Sequence, residues 1–127
     1  MKDYKKYYII HTTPDMLYIA LTNPTIIQLW SGEEATMEAV PNTEFSLFGG
    51  NIEGKNISFE PNKKIVQEWY FGDQAEASIV TIILHEHTKG TSVELRHTNI
   101  PEEVYEEMVE GWNDLYFGSL QDFYEEG

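Results

Sequence analysis

Pro101 divides this chain into two parts of different character. The residues before it form short runs of strand-type sequence separated by turns, and the residues after it follow one amphipathic helical pattern from Glu102 almost to the C-terminus. A single terminal helix is covered by short strands when a curved sheet wraps around it. We therefore predict an α+β domain in which an antiparallel sheet encloses the C-terminal helix and leaves space for an apolar pocket.

The composition fits one globular domain over residues 1–127. Hydrophobic residues make up 41% of the chain and aromatic residues 13%, which is typical of a packed core rather than a disordered chain. The sequence has no apolar run of about 18 residues that would predict a membrane span. The absence of cysteine excludes disulfides and thiolate metal sites, and with the lack of a leader pattern it favours a cytoplasmic protein.

The charge of the chain is strongly negative, at −14 from 8 basic and 22 acidic residues. Nine of the acids lie between Pro101 and Gly127, where there is no basic residue. Such a field repels phosphate backbones and anionic membrane surfaces, so we predict neither a nucleic acid nor a membrane as partner. The acidic helix either keeps the domain in solution or attracts a basic surface on a protein partner.

Hydrophobic alternation and turn residues predict six or seven strands and two short helices. The predicted strands cover residues 4–12, 35–40, 44–48, 51–60, 64–71, 77–87 and 91–98, and the short helices cover 15–22 and 25–29. Both helices follow the first strand. If Lys89 and Gly90 form the loop of the last hairpin, the pairing of its two strands is fixed. The opposed pairs are then Ile82 with His97, Leu84 with Leu95, Glu86 with Val93, and His85 with Glu94.

The terminal helix has a wide apolar face if each residue turns by about 100°. That face contains Val104, Tyr105, Met108, Val109, Trp112, Leu115, Tyr116, Leu120 and Phe123. Gly111 and Gly118 interrupt the helix and indicate either close approach to the sheet or a tolerated bend.

Several spaced motifs resemble one known family. They are FSLFGGNIEG at 45–54, Pro61, KKIVQEWYF at 63–71, ELRHTNIP at 94–101 and Gly111-Trp112, preceded by LTNPTIIQLWSGEEA at 21–35. This pattern is similar to the heat shock protein 90 ATPase activator homologue family, within the START-like (SRPBCC) superfamily. The resemblance implies a helix-grip fold: a curved antiparallel sheet wrapped around a long C-terminal helix, with two short helices after the first strand.

The resemblance implies three functions. Stand-alone relatives look like binders of small apolar ligands, so the first expectation is a non-enzymatic protein that binds such a ligand between sheet and helix. Eukaryotic members use this domain as the C-terminal half of a co-chaperone, so an alternative is a partner that modulates the ATPase of heat shock protein 90. Some helix-grip proteins are cyclases or hydrolases, which makes a small enzyme the third possibility.

The expected ligand site is a cavity beneath the terminal helix. Its predicted lining is Trp30, Phe45, Leu47, Trp69, Phe71, Ile82, His97, Met108, Trp112 and Tyr116. For the aromatic residues, the competing interpretation is a core that holds the helix to the sheet. His97 is either a polar anchor for a ligand or a buried histidine that is hydrogen-bonded within the protein.

Catalytic motifs are missing from the sequence: it has no nucleophile elbow, zinc-protease motif, phosphate-binding glycine loop or cysteine nucleophile. His97 is the one candidate for a catalytic group. His85, His87 and Glu94 are a possible zinc-binding set, but they are expected on the exposed face of the sheet. We therefore predict no catalytic residue, no metal and no cofactor.

Overall fold

The computed structural model describes residues 1–74 and 76–125, which contain six strands in one antiparallel sheet. The strands are β1 (Lys2–Ile10), β2 (Glu44–Leu47), β3 (Ile52–Glu60), β4 (Lys64–Trp69), β5 (Ser78–His87) and β6 (Gly90–Ile100). Their order in the sheet is β1-β6-β5-β4-β3-β2, so the first and the last strand of the chain are neighbours. The predicted α+β helix-grip fold is confirmed.

Two short helices connect β1 to β2, as predicted. They are α1 (Pro14–Thr22) and α2 (Pro24–Ser31), each of which begins with a proline whose missing N–H costs nothing there. Asn23 ends α1 and caps α2, because its side-chain oxygen accepts a hydrogen bond from the Ile26 N–H at 3.1 Å. The Trp30 indole N–H donates to the Ala20 carbonyl at 2.8 Å and so fixes α2 against α1.

The C-terminal helix occupies residues 102–123 and changes its winding in the middle. It consists of a 3-10 turn (Glu102–Val104), helix α3 (Tyr105–Glu110), a π-helical segment (Gly111–Tyr116) and helix α4 (Phe117–Phe123). The Phe117 N–H bonds to the Trp112 carbonyl, five residues back, where an α-helix would use a spacing of four. The predicted long C-terminal helix is present, but the assumed constant turn of about 100° per residue is wrong over the π-helical segment.

The π-helical segment changes which side chains face the sheet. Trp112, Tyr116, Phe117 and Leu120 are buried, whereas Leu115 is 60% and Phe123 is 42% exposed. The prediction placed Leu115 and Phe123 on the buried face and left Phe117 off it, because it assumed a constant 100° per residue. The extra residue in the π turn rotates the helix that follows it, which brings Phe117 inward and turns the other two side chains out.

The two strands of the last hairpin are paired with a shift of two residues from the predicted register. Ile82 lies opposite Leu95, and His97 lies opposite Val80, because Thr88 and Lys89 form the loop and Gly90 begins β6. Gly90 has a φ of 132°, and a Cβ there would lie 2.5 Å from the Ile10 carbonyl oxygen. Glycine is therefore required at position 90, where the end of β1 lies against the start of β6. Since side chains alternate with a period of two, the shift leaves the same residues on the core face.

The remaining pairs of that register also change. Leu84 lies opposite Val93, Glu86 opposite Thr91, and His85 opposite Ser92.

The predicted strand at 35–40 is not a strand. Thr36 alone pairs with Ser46, through two backbone hydrogen bonds of 2.8 and 3.0 Å. Further along, the Glu38 carbonyl accepts from the Asn56 side chain rather than from a neighbouring strand. This segment crosses the edge of the sheet as a loop that is held by a side chain.

The core lies between one face of the sheet and the helices. Residues of α1, α2, the C-terminal helix and the inward positions of the strands form a single cluster of buried apolar side chains. Among the described residues, no helix is long and apolar enough to cross a membrane.

Candidate functional site

His97 lies at the centre of the candidate site and is fully buried. The Trp112 indole N–H donates to its Nδ1 at 3.1 Å, and its Nε2 lies 2.8 Å from the Ser78 hydroxyl. Because an indole nitrogen only donates, Nδ1 must be unprotonated and Nε2 must carry the proton. Ser78 accepts from Nε2 and donates to the Thr98 carbonyl at 3.0 Å.

Burial makes His97 a neutral side chain at pH 7. Desolvation lowers the pKa of His97 to about 4, against a smaller opposing effect of the Asp3 charge. Protonation of Nδ1 would also place an N–H donor of the ring against the N–H donor of Trp112. His97 is thus fixed as a neutral imidazole with both nitrogens in hydrogen bonds.

Trp69 and Trp112 connect the sheet to the C-terminal helix. Their rings stack with centroids 4.7 Å apart, and His97 lies edge-on to Trp69 at 5.4 Å. Tyr116 packs on Trp112 at 4.8 Å and on Trp30 at 5.2 Å, and its burial raises the pKa of its phenol. The space under the middle of the helix is occupied here by rings in mutual contact.

A chain of buried amides continues from Trp69 along the sheet. The Trp69 indole N–H donates to Gln67 Oε1 at 3.0 Å, and Gln67 Nε2 donates to Asn56 Oδ1 at 3.0 Å. The Asn56 amide in turn donates to the Glu38 carbonyl at 3.0 Å. The sequence analysis did not identify Gln67, Asn56 or Ser78 as members of the site. The alternation of Ile65, Gln67 and Trp69 was a signal that could have placed Gln67 on the core face.

The ten predicted lining residues come together in one region of the core. Trp30, Phe45, Leu47, Trp69, Ile82, His97, Trp112 and Tyr116 are buried, and Phe71 and Met108 are half-buried against them. Their role as the lining of a ligand cavity remains a prediction.

A cleft opens beside this cluster, where the C-terminal helix begins. It has a volume of about 350 Å³ and is bordered by Phe71, Gln74, Pro101 and Glu103. Phe71 borders the cleft and also packs against the cluster, since its ring centroid lies 5.9 Å from that of His97. The cleft is large enough for a small ligand and has apolar and acidic walls.

The π-helical segment is attached to β1 by Asn113. Its side-chain oxygen accepts from the Tyr8 hydroxyl at 2.8 Å and from Lys6 Nζ at 2.8 Å. Gly111 and Gly118 bracket this segment without approaching the sheet. A Cβ on Gly118 would collide with the Asn113 carbonyl oxygen of the same helix, whereas a Cβ on Gly111 would point into open space.

The other histidine cluster lies on the opposite face of the sheet. His85 Nε2 bonds to Glu94 Oε1 at 3.0 Å although the two residues are not directly opposed, and Arg96 Nε donates to the same carboxylate at 2.6 Å. The His85 hydrogen bond, with the charges of Arg96 and Lys5, lowers the pKa of Glu94. Within residues 1–74 and 76–125, no three His, Cys, Asp or Glu side chains form a possible metal site.

The outer face of the C-terminal helix carries the acids. Glu103, Glu107, Glu110 and Asp114 are exposed along it, while Trp112 and Tyr116 lie on the inner face. The helix therefore separates a packed aromatic surface from a negatively charged surface.

The six-stranded antiparallel sheet that packs around a long C-terminal helix defines the helix-grip fold. The family model described as "Activator of Hsp90 ATPase homolog 1-like protein" matches residues 11–125. The chain belongs to that family.

Individual relatives agree with this assignment. Activator of 90 kDa heat shock protein ATPase homolog 1 of Homo sapiens is 30% identical over 112 residues, which cover 87% of this chain and 33% of that protein. The corresponding Dictyostelium discoideum activator homolog is 33% identical over 103 residues, which cover 79% and 27% of the two chains. The chain thus spans about a third of the length of the curated relatives it matches.

The fold is also similar to solved structures. The crystal structure of an HSP90 activator from Plasmodium falciparum superposes with a TM-score of 0.86 at 24% identity, over 97% of this chain and 96% of that one. At this identity the likeness shows the fold alone.

Proposed function

We propose that this domain is a non-enzymatic, cytoplasmic partner of the 90-kDa heat shock chaperone and modulates its ATPase. The observation that carries the proposal is the division of the C-terminal helix into a packed inner face and an exposed acidic outer face. The inner face is engaged by Trp69 and His97, which leaves the outer face for a partner. The relatives named as activators of that chaperone's ATPase support this choice.

The state of His97 supports a non-enzymatic role. A general base needs a free lone pair within reach of the substrate. Both ring nitrogens of His97 are in hydrogen bonds, to Trp112 and Ser78, and the side chain has no contact with solvent.

The proposal is tested by titrating the isotope-labelled domain with the cognate 90-kDa chaperone and measuring chemical-shift changes and chaperone ATPase rate. Binding should weaken strongly between low and physiological salt, because exposed charges are screened within about 10 Å at 0.1 M. The variant Glu103→Gln, Glu107→Gln, Glu110→Gln should bind about tenfold more weakly, at about 0.5 kcal/mol for each exposed ion pair.

A control protein carries the same change of charge at three exposed acids outside the helix: Glu38→Gln, Glu53→Gln and Glu60→Gln. It should keep the affinity of the unmodified domain. The absence of any chemical-shift change on adding the chaperone at low salt would refute the proposal.

A second candidate function is the binding of a small apolar ligand. The observation in its favour is the cleft of about 350 Å³ beside Phe71, a half-buried residue whose ring centroid lies 5.9 Å from that of His97. A ligand that displaces the Phe71 ring would contact His97, which packs against Trp69 and Trp112.

Ligand binding is tested with fatty acids, isoprenoids and aromatic polyketides as probes. A bound ligand should change the fluorescence of Trp69 and Trp112, and Phe71→Ala should alter its affinity. If no compound of these classes changes the tryptophan emission or gives a ligand-detected NMR signal, this second function is rejected.

A further inference from the structure

The C-terminal helix has a second apolar surface, which faces outward. Leu115, Ser119 and Phe123 follow one another at intervals of four residues and therefore lie along one flank of the helix. We call these three residues the outer strip. Leu115 is 60% and Phe123 is 42% exposed, and Ser119 between them is partly exposed.

The outer strip is exposed because of the π-helical segment. In a continuous α-helix, Leu115 and Phe123 would lie on the same side as Trp112 and Tyr116. The hydrogen bond from the Phe117 N–H to the Trp112 carbonyl, five residues back, rotates the helix that follows. Phe117 is therefore buried, and Leu115 and Phe123 are not. The exchange leaves two large apolar side chains in solvent.

Packing fixes this arrangement on the inner side. The Phe117 ring stacks on Tyr8 at 4.5 Å, and its centroid lies 5.6 Å from that of Trp112. Asn113, within the π turn, accepts hydrogen bonds from Tyr8 and Lys6. The outward position of the outer strip is therefore a consequence of ordered contacts and not of a frayed helix end.

Acidic residues lie beside both ends of the outer strip. Asp114 precedes Leu115, Asp122 precedes Phe123, and Glu107 lies two helical turns before Leu115; all three are exposed. The sequence has no basic residue after Arg96. An apolar strip with carboxylates beside it is complementary to a helix that has apolar residues on one face and lysine or arginine beside them.

We propose that the outer strip is the docking surface for a basic amphipathic segment of a partner protein. This inference rests on the proposed function and names the part of the chaperone that the domain would engage. The apolar side chains supply the buried area and the carboxylates select a basic partner over an acidic one.

The experiment compares affinities for the full-length cognate chaperone by calorimetry at low salt. The variant Leu115→Ser, Phe123→Ser should bind at least tenfold more weakly, with the same urea midpoint as the unmodified domain because both side chains are exposed. Ile19→Ser, which changes an exposed aliphatic side chain on α1, is the matched control and should bind normally. Equal affinity of the outer-strip variant and the control would overturn the inference and leave the proposed function standing.

A second measurement separates the two proposals. If the unmodified domain does not bind the chaperone, the proposed function fails, and the inference is then decided with a helical leucine–lysine peptide of about 18 residues. This peptide should shift the amide signals of the outer strip, and a leucine–glutamate peptide of the same pattern should not. The inference would be overturned if the leucine–lysine peptide shifts no amide signals or shifts only signals outside the outer strip. It would also be overturned if both peptides shift the outer-strip signals equally. A concentration-dependent dimer that the outer-strip variant abolishes would overturn it as well, because the occupant would then be a second copy of this chain.

Discussion

Lowering the pH from 7 to 4 should destabilise the protein through His97. The pKa of His97 is about 4 in the folded protein, below the ordinary value of 6.5. Between these two pH values His97 is therefore protonated in the unfolded chain and neutral in the folded protein. The contribution of His97 to stability is therefore complete above pH 6.5 and is lost as the pH falls toward 4. At about 1.4 kcal/mol per pH unit, the loss amounts to about 3 kcal/mol.

Two measurements check this value. Histidine ring signals followed by NMR should show His97 titrating near pH 4, well below the ordinary histidine pKa of 6.5. Urea unfolding at pH 7, 5.5 and 4 should show a stability loss that is about 3 kcal/mol smaller in His97→Gln than in the unmodified domain, since the acids and other histidines are common to both. A His97 signal that titrates above pH 6, or two proteins with parallel pH dependence, would refute the reasoning.

Three further predictions concern the π-helical segment and the last hairpin. Gly118→Ala should lower the free energy of unfolding by about 1–3 kcal/mol, because its Cβ meets the Asn113 carbonyl. Gly111→Ala should raise the free energy of unfolding by up to about 1 kcal/mol. Urea midpoints of the two variants that move in the same direction would contradict this. Asn113→Ala should cost about 1–2 kcal/mol in thermal unfolding and free the Tyr8 hydroxyl, and an unchanged Tm would show that this contact does not hold the helix. Gly90→Ala should cost more than about 1 kcal/mol, since alanine at a φ of 132° is strained and crowds the end of β1; a midpoint equal to that of the unmodified domain would count against that account.

The fold was predictable where local signals agree with the tertiary structure. Pro101 marks the end of the sheet, and the prolines at 14 and 24 begin the two short helices at the predicted places. Local signals failed where a distant residue decides the structure. Gly90, where the last strand begins, lies against the end of β1, and the Asn56 amide binds the loop at 35–40. Neither contact can be read from the residues that are close in sequence.

The candidate site was predictable in its apolar part. Alternation in the strands and helical spacing brought Trp69, His97 and Trp112 to one place, as the structure has them. Phe117 and the buried amides were not found, because a π turn breaks the helical period and a polar side chain in a strand gives no sign of its partner. The hydrogen bonds that fix His97 come from residues 15 and 19 positions away in sequence.

The pairing of β1 with β6 also governs the order in which the protein assembles during synthesis. Tyr4 of β1 pairs with His97 of β6. Strand β1 therefore has no partner in the sheet until β6 has been synthesised. Contacts between such distant positions slow folding, and an unpaired strand is open to wrong partners in the meantime. Lys2, Lys5 and Lys6 give this edge strand a positive charge, and charged side chains on an edge strand disfavour its pairing with another copy of the chain.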